Sequence, residues 1–104
     1  MSQWITVAKK GDISEGATRV FTIKGREIAV SCVKGKFYAF LNQCTHMELP
    51  LDEGKIEGTV IECPHHGARF DLETGEVVQM PAAVSLEMYP VKVEGDSLKI
   101  EFRG

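Results

Sequence analysis

The chain has 104 residues, 43% of them hydrophobic and 26% charged, with a formal net charge of −3. That length supports one domain whose core needs no disulfides, and the composition is that of an ordinary globular protein. The acidic balance argues against a nucleic-acid binder, which needs a basic face, and no apolar run approaches the roughly 20 residues of a membrane span.

In chain order the residues read as short strands punctuated by turns. Trp4–Lys9 (WITVAK) is rich in β-formers, and Gly11–Gly16 (GDISEG) is a turn or bulge region. Thr18–Ile23 (TRVFTI), Glu27–Val33 (EIAVSCV) and Lys36–Leu41 (KFYAFL) follow, joined by KGR and KG as hairpin connections. Thr59–Cys63 (TVIEC) and Ala68–Leu72 (ARFDL) come next, with ETG as a turn after them. Glu87–Val93 (EMYPVKV) and Ser97–Phe102 (SLKIEF), either side of EGD, predict a closing hairpin. No stretch keeps a helical period over three turns, and no repeat or low-complexity tract marks a linker. The expected fold class is all-β, an antiparallel sandwich or barrel in one domain over 1–104.

The start, MSQWITVAKK, shows no basic region followed by an apolar one and no twin arginine, which predicts a cytoplasmic protein. In a reducing compartment three cysteines are better read as ligands or free thiols than as bridges. Two of them fall with all three histidines inside CTHMELP (Cys44–Pro50) and CPHHG (Cys63–Gly67). These segments interrupt the strand pattern at Gln43–Gly54 and Pro64–Gly67, each following the end of a strand. Rigid sheets presenting donor loops are a sound way to fix metal geometry.

The donors pair as Cys44-x-His46 and, after sixteen residues, Cys63-x-x-His66. Two thiolates and two imidazoles can surround one zinc as a structural tetrahedron. They can also divide between two irons, thiolates on one and imidazoles on the other. Mixed Cys–His pairs fit the usual zinc spacings poorly. Spacing alone does not choose between His65 and His66 as the fourth donor.

Cys-x-His, a spacer of about sixteen and Cys-Pro-x-His-Gly resemble the Rieske 2Fe-2S family. Ala68–Ala82 (ARFDLETGEVVQMPA) is similar to that family's aromatic-Asp-x-x-x-Gly stretch and proline loop, and LEMYPVKVEGDSLKI to its closing hairpin. The resemblance implies a Rieske-like fold with a cluster-binding subdomain over about 43–83, formed by the two ligand loops. It implies a 2Fe-2S cluster with Cys44 and Cys63 on the inner iron and His46 and His66 on the outer one. His66 is selected because the family's ligand directly precedes glycine, leaving His65 an ordinary surface residue. Pro81 becomes a shield over the cluster. Met47, Leu49 and Pro50, apolar residues on loops, read together with Pro81 either as a docking tip for a partner or as packing between the loops. Respiratory and photosynthetic members carry a disulfide between the ligand loops. The matching positions here are Leu49 and His65, so that bridge is absent. Cys32, in the apolar run IAVSCV, reads as a small core residue.

The function implied is a one-electron carrier, passing electrons from a flavin-dependent reductase to a terminal oxygenase. The alternatives are a small subunit of a larger redox enzyme, such as nitrite reductase, and a structural zinc module. No Gly-x-Gly-x-x-Gly follows a strand, so a Rossmann cofactor site is not indicated. A mononuclear oxygenase iron needs two histidines and a carboxylate, and His65 alone remains after the cluster takes its pair. The expectation is a monomeric carrier without a catalytic site of its own, and without nucleic-acid or membrane partners. High-potential family members place a serine and a tyrosine where Ala68 and Phe70 stand, so the resemblance also implies a potential toward the low end of the Rieske range.

Overall fold

The computed structural model describes residues 2–43, 51–64, 67–79 and 85–103. Eleven strands run through them: β1 (Ser2–Lys9), β2 (Thr18–Ile23), β3 (Arg26–Val33), β4 (Lys36–Leu41), β5 (Lys55–Glu57), β6 (Val60–Glu62), β7 (Arg69–Asp71), β8 (Val77–Gln79), β9 (Met88–Tyr89), β10 (Val91–Glu94) and β11 (Ser97–Arg103). They form three antiparallel sheets, ordered β1-β11-β10, β2-β3-β4-β9 and β5-β6-β7-β8. The all-β expectation is met, and the strands over Thr18–Ile23 and Lys36–Leu41 fall where the sequence placed them.

The β2-β3-β4-β9 sheet is the middle layer, and β3 shows why. Every residue from Ile28 to Val33 is buried, so both faces of this strand are covered. Successive side chains on a strand point to opposite faces. Ile28, Val30 and Cys32 therefore join one core with Ile13, Leu98, Ile100 and Phe102. Ala29 and Val33 join the other, with Phe40, Leu51, Ile61, Cys63 and Phe70. A strand covered on both sides reads as an unbroken apolar run rather than an alternation, which is how IAVSCV appears. Its one hydroxyl is accommodated, because Ser31 Oγ bonds Thr18 Oγ1 at 2.7 Å across the β2–β3 pair.

Two features differ from the sequence expectation. Glu87–Val93 is not one strand. Met88–Tyr89 pairs with β4 in the middle sheet, and Val91–Glu94 pairs with β11 in the outer one. The switch occurs at Pro90, which has no N–H to give a ladder; its carbonyl accepts from Glu101 N–H at 2.9 Å. Secondly, β5 and β8 were not foreseen. Both are three-residue edge strands of the third sheet, too short to show a period of two.

Candidate metal centre

The second ligand segment begins where β6 stops. Cys63 donates its N–H to the Ala68 carbonyl at 2.7 Å, and its own carbonyl accepts from Gly67 N–H at 3.1 Å. These bonds turn the chain back so that β7 pairs with β6, Ile61 opposite Phe70 and Glu62 opposite Arg69. The Cys63 thiol is free and fully buried, in one core with Ala29, Phe40, Leu51, Ala68 and Phe70. A soft donor in dry apolar surroundings suits a metal bound through thiolate. Arg69 bonds Glu62 at 2.9 Å beside it. That pair is part-exposed and contributes little to stability.

The first ligand segment leaves β4 at Asn42 and returns at Leu51. Asn42 is buried and sits between the two ends. Its Oδ1 accepts from Leu51 N–H at 2.8 Å, and its Nδ2 donates to Asp52 Oδ1 at 3.0 Å and to Glu27 Oε1 at 3.4 Å. Beyond Leu51 the chain lies flat on β6. Gly54 donates to the Leu51 carbonyl at 2.8 Å, and a Cβ on Gly54 would stand 2.4 Å from the Glu62 carbonyl oxygen. Glycine is thus required by contact with the residue just before Cys63. A third tie follows β7. Gly75, at φ +81°, accepts from Leu86 N–H at 2.8 Å, and a Cβ there would meet Met88 Cγ at 2.7 Å. It links the two sides of the stretch that carries Pro81.

Of the four expected donors the structure places Cys63. Cys44, His46 and His66 lie outside the described residues, as do His65, Met47, Leu49, Pro50 and Pro81. No group of three metal-binding side chains occurs among the described residues. Ala68 and Phe70 are both fully buried in the Cys63 core, and neither side chain offers a hydrogen-bond donor. Cys32 faces the opposite core, with the middle sheet between it and Cys63. Burial pushes its thiol pKa up, and the charge of Glu15, 4.0 Å away, adds to the rise. Cys32 thus keeps its proton, as a core residue should. Asn42, Gly54 and Gly75 carry the architecture, and the sequence reading missed all three. An asparagine directly before the first donor segment was the available signal for Asn42.

The Rieske [2Fe-2S] domain family matches residues 3–90. The chain is 38% identical over 99 residues to the naphthalene 1,2-dioxygenase system ferredoxin component of Pseudomonas aeruginosa, covering 95% of each chain. It is 42% identical over 91 residues to the naphthalene 1,2-dioxygenase/salicylate 5-hydroxylase ferredoxin component of a Ralstonia species, covering 88% of each. Among solved structures it superposes with a TM-score of 0.88 and 35% identity on a chain from the complex of reduced oxygenase and oxidized ferredoxin in carbazole 1,9a-dioxygenase, covering 93% of this chain and 91% of that one. With a family model matching residues 3–90, a matching fold and relatives aligned over nearly its whole length, the chain belongs to the Rieske 2Fe-2S domain family.

Proposed function

We propose that Cys44, His46, Cys63 and His66 ligate the 2Fe-2S cluster that family membership implies, with the thiolates on one iron and the imidazoles on the other. When bound, the cluster supplies one reversible electron. The observation that carries the assignment is Cys63, a free thiol held by backbone bonds at the end of β6 in an apolar core. The donor set fits such a place. Two thiolates cancel the double positive charge of an oxidised two-iron core, and an electrically neutral centre is less costly to bury than a charged one. Neutral imidazoles in place of two further thiolates favour taking up an electron. Rieske centres as a class are known to span about −150 to +300 mV, against about −400 mV for plant-type ferredoxins.

The chain's own residues do three things for this carrier. Leu51, Ala68 and Phe70 keep water from the Cys63 side of the centre. The Cys63–Ala68 and Gly67–Cys63 bonds fix the second donor segment. Asn42 and Gly54 fix the ends of the first against β6.

The protein serves a dioxygenase system of the kind its relatives are named for. It receives electrons from a flavin-dependent reductase and delivers them to a terminal oxygenase. The complex of oxygenase and ferredoxin among its structural neighbours supports the second half of that route. A free carrier, rather than a subunit of a larger redox enzyme, is supported by relatives named as ferredoxin components over nearly this whole length. The reading includes a single domain over 1–104, action as a monomer in the cytoplasm, and no catalytic site of its own.

Anaerobic purification followed by iron and sulfide analysis and EPR of the reduced protein tests the assignment. Two irons and two sulfides per chain are expected. Cys44→Ser and Cys63→Ser are each expected to be colourless, while Cys32→Ser keeps the wild-type spectrum. A coloured Cys63→Ser protein with unchanged EPR overturns the ligand set.

A further inference from the structure

We propose that Asn42 is a positioning residue for the metal centre: its side-chain amide clasps the two ends of the segment that bears Cys44 and His46. The proposal rests on the ligand assignment above and concerns residues that assignment does not use. Asn42 and Leu51 flank the segment, and one bond, Oδ1 to Leu51 N–H at 2.8 Å, joins them directly in a buried setting. The amide is also anchored to both of its surroundings. Nδ2 reaches Asp52 on the returning chain and Glu27 at the start of β3, and Asn42 N–H donates to the Glu27 carbonyl at 2.9 Å.

The chemistry of these partners suits an asparagine amide. Buried Leu51 N–H needs an acceptor, and the carboxylates of Asp52 and Glu27 can only accept. An asparagine amide supplies one acceptor and two donor hydrogens in the required arrangement. The flipped amide would set its NH₂ against an N–H and its oxygen against two carboxylates, so the partners fix its orientation. Aspartate would keep the Leu51 bond and place a third carboxylate beside two others. Alanine would leave a buried N–H without a partner, which is the costly way to lose a hydrogen bond.

The consequence is for the donors rather than for the fold as a whole. A free segment of this length samples many end-to-end separations, and tying its ends removes most of them before metal arrives. Gly54 continues the tie by seating the returning chain on β6, next to Cys63. The two ends of the segment that bears Cys44 and His46 are therefore tied in place, one of them next to Cys63. Without the clasp the centre should be lost faster and be less uniform.

The test uses the full chain with its cluster at pH 7. It compares Asn42→Ala, Asn42→Asp, the double variant Asn42→Asp with Asp52→Asn, and a control, Ile100→Val, in the opposite core. Bleaching by excess chelator and the EPR g-values of the reduced protein are read alongside thermal melting. Asn42→Asp is expected to bleach about tenfold faster or more with a broadened, shifted EPR spectrum. The double variant restores a donor opposite the new carboxylate and should move both readings back toward wild type. Ile100→Val should lower the melting temperature and leave both readings alone. If Asn42→Ala does not fold, the single and double aspartate variants still decide. Wild-type bleaching and EPR in Asn42→Asp, with Cys63→Ser colourless, would overturn the clasp and leave the ligand set standing. So would bleaching that merely follows melting temperature across all variants. A coloured Cys63→Ser would overturn the ligand set instead.

Discussion

The two cores of this molecule are held by different means. On one side of the middle sheet, β1 and β11 pair through seven residues, and within that sheet β2 pairs with β3 and β3 with β4 through six each. On the other side no strand of the third sheet exceeds three residues, and β7 shares two pairs with β8. Isolated ladders that short are marginal in water. The third sheet depends on its packing against Ala29, Val33 and Phe40 and on a few ties at its loops, and on the proposed ligand set the cluster would add a further tie. Structural metal sites contribute their binding energy to folding. The long-stranded core should stand without the cluster, and the ligand-bearing sheet should not be as well ordered without it.

Removing the cluster is the largest test of that division. In Cys63→Ser or chelated protein, amide exchange should quicken most at Ile61 and Leu72, while Val30 and Ile100 stay protected. Local opening energies range from near zero to the full stability of a protein, and the two regions should separate widely on that scale. Uniform loss of protection in both cores would mean that they fold as one unit.

Gly54→Ala should come next in size. Its new methyl carbon would stand 2.4 Å from the Glu62 carbonyl oxygen and 2.9 Å from that of Leu51. Backbone oxygens cannot rotate aside as a side chain does, so the returning chain must lift from β6. A loss of roughly 1–3 kcal/mol is expected from such overpacking, with a drop in iron per chain. Ile28→Val, in the long-stranded core, should cost about 0.5–1.5 kcal/mol and leave iron content alone. Denaturant midpoints and iron analysis check both. An iron-replete Gly54→Ala protein would show that the approach to β6 does not set the donor geometry.

Legibility in the sequence follows the same division. Long strands with β-branched runs, such as Thr18–Ile23, announced themselves within a residue or two. The three-residue strands Lys55–Glu57 and Val77–Gln79 did not, since pairing and packing make them strands, not propensity. Pro90 was visible but was read inside a strand, because a switch between sheets has no local signature beyond the proline. Cysteine and histidine spacing pointed to the candidate donors and to the family, since few chemistries need both types so close together. The residues that tie the ends of those segments were invisible. Asn42 and Gly54 act through Leu51, Asp52 and Glu62, which are partners in space that no spacing rule connects.

A smaller effect concerns how the ligand-bearing core tunes its centre. Ala68 and Phe70 are fully buried beside Cys63 and cannot donate hydrogen bonds. Ala68→Ser with Phe70→Tyr would bring two hydroxyls into a dry core, where each needs an acceptor. By the resemblance, sulfur of the bound centre is the acceptor that the serine and tyrosine of high-potential family members use. Such bonds are stronger in the reduced, more negative state and so raise the potential. A charge-assisted bond of about 1.5–3 kcal/mol corresponds to on the order of 60–130 mV for one electron, where tenfold is about 59 mV. That is an upper figure, because the oxidised state keeps part of the bond. Voltammetry of the double variant checks it. No shift, with both hydroxyls seen on sulfur in a structure, would refute the account.

The smallest expected effect lies in the long-stranded core. The Cys32 thiol is held above its ordinary pKa of 9.0, first by burial and then by the charge of Glu15. A raised acid pKa means that the folded chain binds this proton more tightly than the unfolded chain does. The resulting stability is complete below the ordinary thiol value and fades as pH climbs through the raised one. Cys32→Ala removes that dependence, so its stability deficit against wild type should be constant from neutral pH up to the ordinary thiol pKa of 9.0 and narrow above it. Tyr38 and Tyr89 are also raised by burial, but both proteins share them, so their slopes cancel in the difference. Because Cys32 lies across the middle sheet from Cys63, cluster absorbance should be the same in both proteins at every pH below unfolding. Urea midpoints from pH 7 to about pH 10 measure the difference. A deficit that stays level to the alkaline end would show that Cys32 ionises without cost, through an opening of this core that its burial does not reveal.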